Sequence, residues 1–126
     1  MPLVFTITKE DVLRSKVLAP GWYKAQVKKV EATTAGTDGS AGAVVSFSIT
    51  QPGEFHGTPL DTRFWEKAPG FSVPFFRACG AAVTEAGGNF DFEKSVGREV
   101  LIYVQNRMYQ NRLTNDIVDY KALAAN

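Results

Sequence analysis

Cysteine is nearly absent: Cys79 is the only one in 126 residues, so no intrachain disulfide can form. Small secreted domains often depend on such bridges, so their lack points to a reducing compartment and a cytoplasmic location. Histidine is as scarce, with His56 alone. One His and one Cys in separate elements make a poor zinc site, so no metal or other cofactor is expected. No apolar run approaches the ~20 residues of a membrane span. The opening MPLVFTITKEDVL lacks a basic head followed by a sustained apolar stretch, which argues against a signal peptide. An excess of one charge is also missing, for the formal net charge is only +1. Nucleic-acid binders usually carry a strongly basic balance, and the totals do not show one.

What is present suits a single domain over residues 1–126, since 44% of residues are hydrophobic and one core is affordable at this length. Charge is mildly segregated. Residues 98–112 carry Arg98, Arg107 and Arg112 against Glu99, a local +2; residues 84–97 carry Glu85, Asp91 and Glu93 against Lys94, a local −2.

Thr8 followed by Asp11 resembles a capping box and predicts a short helix from Lys9 to Lys16, within an N-terminal extension over 1–20. The breaker Ala19–Gly21 precedes a strand, WYKAQVKKVEAT. There Tyr23, Ala25 and Val27 share one face and Trp22, Lys24, Gln26 and Lys28 the other. Thr34–Gly42 is a glycine-rich loop. AVVSFSIT turns Val45, Phe47 and Ile49 inward and Ser46 and Ser48 outward. After the connection QPGEFHGT, PLDTRFWEK predicts a third strand, with Arg63, Trp65 and Lys67 on the face opposite Phe64. Ser72 can cap a helix that tolerates Pro74 in its first turn. Its apolar stripe is Phe75, Phe76, Cys79, Ala82 and Val83, and Phe71, Phe75 and Phe76 are expected in the core. TEAGGNFDFEKSVG is loop with at most one short turn. REVLIYVQN and RLTNDIVDY form two more strands around the hairpin RMYQN, and residues 121–126 form a short tail.

The expected fold is therefore mostly β with α: a five-stranded OB-fold-like barrel, a helix between strands three and four, and a short N-terminal helix. Alternation separates an inner from an outer surface but does not by itself close a barrel. An open five-stranded sheet covered by the two helices is the structural alternative.

Three stretches carry a family resemblance. LAPGWYKAQVKKVE, GEFHGTPLDTRFW and VGREVLIYVQNRMYQNRLTNDIVDYKAL are similar to the opening strand, second hairpin and closing hairpin of a family of small phage and prophage proteins. The resemblance runs from Leu18 to Leu123. It implies an OB-like fold and single-stranded DNA binding in phage replication or recombination, in the host cytoplasm. Replication or recombination proteins of phage or host would be further partners, and a homodimer is expected. The ending VDYKALAAN lacks the acidic, hydrophobic-tipped tail through which many such proteins recruit enzymes, so recruitment by that route is not expected.

Sequence-tolerant binding needs cations along a phosphate track and flat side chains on which bases stack. In an OB-fold the track is the outer face of strands two and three, flanked by the loop after strand one and the hairpin after strand four. The DNA-binding candidates are accordingly Arg63, Trp65 and Lys67, then Arg107, Tyr109 and Arg112, then Lys24 and Lys28. Ser46 and Ser48 would be Trp65's small neighbours, leaving the indole open. Equally, Trp65 could pack under the APGF turn or at a dimer contact, and the hairpin could be merely solvated. Trp22 could simply close a barrel end. Cys79 reads as a small buried residue.

No enzymatic activity is expected. There is no nucleophile–base pair, no glycine-rich phosphate loop, and no clustered carboxylates for metals. Asp116 and Asp119, at odd spacing on one strand, should face opposite sides. The competing function is a protein-interaction or virion-assembly module built on a small barrel, its exposed aromatics serving as subunit contacts.

Overall fold

Stretches in which inward-facing apolar residues recur at every second position form five strands: β1 (Gly21–Thr34), β2 (Ala41–Ile49), β3 (Pro59–Trp65), β4 (Glu99–Tyr109) and β5 (Arg112–Ala122). Helix α1 (Lys9–Arg14) precedes them, and α2 (Val73–Ala78) lies between β3 and β4. The computed structural model describes residues 3–34, 39–81, 87–88 and 90–123. The strands form one antiparallel sheet in the order β3-β2-β1-β4-β5. Ala25 and Val27, Val45, Phe47 and Ile49, Leu60 and Phe64, Val100, Ile102 and Val104, and Ile117 and Tyr120 bury the inner face. None of the helices is long and apolar enough to cross a membrane, among the described residues.

In a flat sheet the edge strands β3 and β5 would lie about 19 Å apart, four spacings of about 4.8 Å. Here the rings of Phe64 and Tyr120 are only 5.9 Å apart. The sheet therefore curls until its edges face each other. No backbone ladder joins β3 to β5 among the described residues, so the closed barrel expected from the sequence is not formed by strand pairing. The edges meet instead through side chains, with Phe75 of α2 between them: its ring lies 5.3 Å from both Phe64 and Tyr120.

Two bulges alter the alternation. The β1–β2 register slips between Val27 and Lys29, so Ala25 and Val27 point inward before it and Val30 packs on the core after it. Two apolar residues three apart, in Val27-Lys28-Lys29-Val30, are the sign of an extra residue on one strand. The β4–β5 register slips at Tyr103/Val104, where Tyr103 pairs with Asp119 and Val104 with Ile117. This skips Val118. Asp116 and Asp119 consequently share the outer face, contrary to the expectation from spacing alone.

The capping box forms as expected: the Asp11 N–H donates to Thr8 Oγ1 at 3.1 Å, and the Thr8 N–H to Asp11 Oδ2 at 2.9 Å. The Thr8 N–H donating to the ionised carboxylate, with the Thr8 hydroxyl beside it, holds the Asp11 carboxyl below its ordinary range. α1 stops at Arg14 rather than Lys16 because two asparagines claim the next backbone groups. Asn115 Nδ2 donates to the Lys16 carbonyl and Asn115 Oδ1 accepts from the Leu18 N–H, while Asn106 Nδ2 donates to the Leu18 carbonyl. Asn106 and Asn115 are a cross-strand pair, so the hairpin grips this segment and Leu18 is fully buried. The N-terminal extension thus contributes to the core.

A 3-10 turn over Pro69–Ser72 precedes α2. It draws Ser72 into a helical conformation, where its hydroxyl donates to the Pro69 carbonyl at 2.5 Å and gives no cap to α2. Phe75 is fully buried as expected and Phe76 is half-buried, but Phe71, expected in the core, is 80% exposed. The tight turn points it away from the stripe. Ala82 and Val83 lie outside the described residues. β5 continues to Ala122, so the first residues of the expected tail belong to the sheet.

The closing hairpin is tighter than expected. Tyr109 pairs with Arg112, leaving only Gln110 and Asn111 as the turn, both with positive φ (50° and 63°). Two positive-φ residues define the turn type that prefers Asn-Gly. Asn111→Gly is expected to raise stability by about 0.5–1 kcal/mol, because glycine removes the left-handed strain. A urea midpoint at or below that of the wild type would reject this account of the turn.

Candidate nucleic-acid interface

On the outer face, register places side chains in rows across β1, β2 and β3. Trp65 sits opposite Gly42 and Thr33, Arg63 opposite Val44 and Glu31, and Asp61 opposite Ser46 and Lys29. The expected neighbours of Trp65, Ser46 and Ser48, are therefore not beside it; Ser48 faces Pro59. The small neighbour is Gly42. A methyl group there would collide with Cε3 of Trp65, and would come within 2.7 Å of Cζ3 and 2.8 Å of the Phe64 carbonyl oxygen. The six-membered ring thus lies down over the glycine backbone, as aromatic rings do where a strand glycine leaves room. Trp65 remains half-exposed, and Arg63 is exposed.

Lys67 does not continue the row. β3 ends at the Trp65–Gly42 pair, and the chain turns through Glu66 and Lys67, with the Ala68 N–H donating to the Trp65 carbonyl at 3.0 Å. Alternation cannot hold beyond that turn.

The hairpin residues reach the other end of β3. Tyr109 and Arg112 line a groove of about 420 Å³ together with Arg14, Pro59, Leu60 and Asp61. Arg107 and Tyr109 share a face, and the guanidinium lies 6.0 Å from the ring centroid. Both residues are in β4 rather than at a loop tip, which fixes their direction more firmly than a loop would. The opposite hairpin face carries the exposed pair Met108 and Leu113.

Charges on this surface are mixed. Arg14 bridges Glu10 and Asp61 at 3.0 and 3.3 Å, and Lys29 pairs with Glu31 at 3.1 Å. Arg63, Arg107 and Arg112 stand outside these pairs. Exposed pairs of this kind are worth little and exchange readily for other partners. Lys28, the bulged residue, donates from its ammonium to Gln26 Oε1 at 2.9 Å. Lys28 and Lys29 line a second groove of about 420 Å³ with Ser46, Ser48 and Asp61, so the bulge brings two lysines to this groove where alternation offered one.

Lys24 lies apart. It neighbours Thr50, whose N–H donates to the Lys24 carbonyl, at the end of β2 remote from Gly42. Eight residues of strand put it about 26 Å from the Trp65 row. There it lies on the outer face of β1 with Trp22, as alternation placed them, beside Tyr103 and Lys121, which the sequence expectations did not include. Trp22 meets Tyr103 edge-on at 5.2 Å, and the Lys121 ammonium lies 4.7 Å over the Trp22 ring. That ring is already engaged by a cation, which makes it a poorer stacking platform than Trp65.

Beside Trp65 opens a pocket of about 510 Å³, walled by Phe64, Phe76, Phe90 and Phe92 and rimmed by Glu66. Phe76 lies 4.8 Å from Phe90 and 4.9 Å from Phe92. Phe90 and Phe92 fall in a segment without alternation, and nothing in their spacing marks them. Burial pushes the Cys79 thiol up to about 11, so it stays protonated near neutral pH. Among the described residues no group of three or more His, Cys, Asp or Glu is placed to hold a metal ion.

Comparison with protein-family models and with curated proteins finds no match to this chain.

Proposed function

We propose that this protein binds single-stranded DNA with little regard to sequence, without catalysing a reaction, on the outer face of β2 and β3. The observation that carries the proposal is Trp65: an indole laid over Gly42 with Arg63 next but one along the same face. Such a ring offers a base a flat support, and every base has a face to stack. The curled sheet with side chains across its seam is compatible with an OB-like fold, in which this face holds the strand. Together with the resemblance to small phage proteins, the arrangement suggests a role in phage replication or recombination within the host cytoplasm, acting as a homodimer.

Fluorescence anisotropy with labelled oligothymidine, against duplex DNA of equal length, tests the proposal directly. Single strands should bind more tightly. If about three to five cations each meet a phosphate, affinity should fall with salt at a log–log slope of roughly −2 to −4. Arg107→Ala with Arg112→Ala should make that slope shallower by about 1.4, at 0.7 per lost contact. Both side chains are exposed, so each substitution should shift stability within about 0.5 kcal/mol. A flat salt response, or an unaltered slope in the double variant, would remove the hairpin from the phosphate track.

One observation favours the competing function. Leu3, Val4, Phe5 and Ile7 are 69–86% exposed, a run of large apolar side chains that suits a protein contact. Binding of neither oligonucleotide would leave a protein-interaction or virion-assembly module as the better account.

A further inference from the structure

The pocket beside Trp65 has a composition that a phosphate track does not explain. Its walls are flat rings: Trp65, Phe76, Phe90 and Phe92, with Phe64 behind them. Its volume of about 510 Å³ falls within the range of small-ligand sites. No lysine or arginine lines it among the described residues, so a phosphate has no partner inside. Among the described residues, Glu66 is the one charged residue on its wall. The backbone of that residue is pinned to the end of β2, its N–H donating to the Ala41 carbonyl at 2.9 Å. The Ser72 hydroxyl, also on the wall, already donates to the Pro69 carbonyl.

Resting on the single-strand proposal, we infer that this pocket takes one unstacked base bearing an exocyclic amino group, with the Glu66 carboxylate as its acceptor. The neighbouring Trp65 brings the strand to the pocket mouth. A carboxylate beside a phosphate backbone is unfavourable unless it meets a donor. Cytosine presents one in its N4 amino group, whereas thymine presents the O4 acceptor at the same place and is repelled. The rest of the strand is held through phosphates and stacking, so discrimination is confined to the nucleotide in the pocket. Stacking strength alone also produces mild base preferences, but such a preference would not depend on a carboxylate.

The test compares oligodeoxycytidine with oligothymidine of equal length at neutral pH, following tryptophan fluorescence in a Trp22→Phe background so that Trp65 alone reports. The cytidine strand should bind about fivefold more tightly, the value of one good base contact. Glu66→Gln should reduce that ratio to about one, because the amide can donate to thymine O4. Glu66 is exposed, so this variant should fold as the wild type does. Equal affinities in the wild-type residue background, or a cytidine preference that survives Glu66→Gln, would overturn the inference while leaving single-strand binding intact. If Phe90→Leu splits a dimer and leaves the cytidine preference unchanged, the pocket is a subunit contact and the inference is wrong. Binding of neither strand would defeat the single-strand proposal itself, and this inference with it.

Discussion

Trp65→Ala is expected to lower affinity for oligothymidine by about five- to 150-fold, the loss of one base–aromatic stack at roughly 1–3 kcal/mol. Fluorescence quenching by bound DNA should fall with it, and Trp22 remains as an internal control. Folding should survive, because Phe64 and not Trp65 fills the core. Gly42→Ala provides the converse test. It keeps the indole but places a methyl group where the ring now lies and 2.8 Å from the Phe64 carbonyl oxygen. The ring must therefore leave the sheet and the β2–β3 backbone must shift slightly, so the variant's stability is measured alongside its affinity. Its affinity should drop in the same direction as that of Trp65→Ala. A Trp65→Ala protein that folds, keeps its assembly state and binds as the wild type does would show that no base stacks there. One that unfolds, or whose dimer separates, would make the indole a structural residue.

Phe75→Ala should have the largest effect on stability, about 3–5 kcal/mol. The ring is fully buried and touches Phe47, Phe64, Phe76, Phe92 and Tyr120, so neighbours from four directions would have to close on the gap. Against a total of roughly 5–15 kcal/mol, that is a large share, and the melting temperature should fall by roughly 10–20 °C. Phe71→Ala, four residues earlier but 80% exposed, should change stability by within about 0.5 kcal/mol. Similar losses from both would mean that Phe75 does not hold the seam between β3 and β5.

The two phenylalanines mark where sequence reasoning stops. Helical spacing placed Phe71, Phe75 and Phe76 together, but the 3-10 turn over Pro69–Ser72 rotates Phe71 out of the stripe. Strands were easier. Period-two alternation located β1, β2, β3 and the closing hairpin, and assigned Phe64 inward and Trp65 outward, because one register slip would reverse a whole strand. Alternation has no information about where it ends or skips. Lys67 was lost to a turn, and Lys29 was gained through a bulge. Tyr103 was hidden because every residue around it in VLIYV is apolar. Phe90 and Phe92 could not be found at all, since their setting depends on contacts with α2 and β3 that no local pattern encodes.

The strand order also has a consequence for how the chain reaches its native state. The two halves of the sheet meet where β1, paired with β2 on one side, pairs with β4 on the other. The β1–β2 hairpin begins at Thr34–Ala41, partners only 7 positions apart, while the nearest β1–β4 partners, Gln26 and Glu99, are separated by 73. Closing a loop ten times longer costs about 2 kcal/mol more in chain entropy. The β1–β2–β3 meander and the β4–β5 hairpin can thus form locally, and joining them along β1 is the entropically expensive step. The Asn106–Asn115 grip on Lys16–Leu18 forms across that same divide, so the N-terminal segment is fastened to the second half of the chain when the two halves meet.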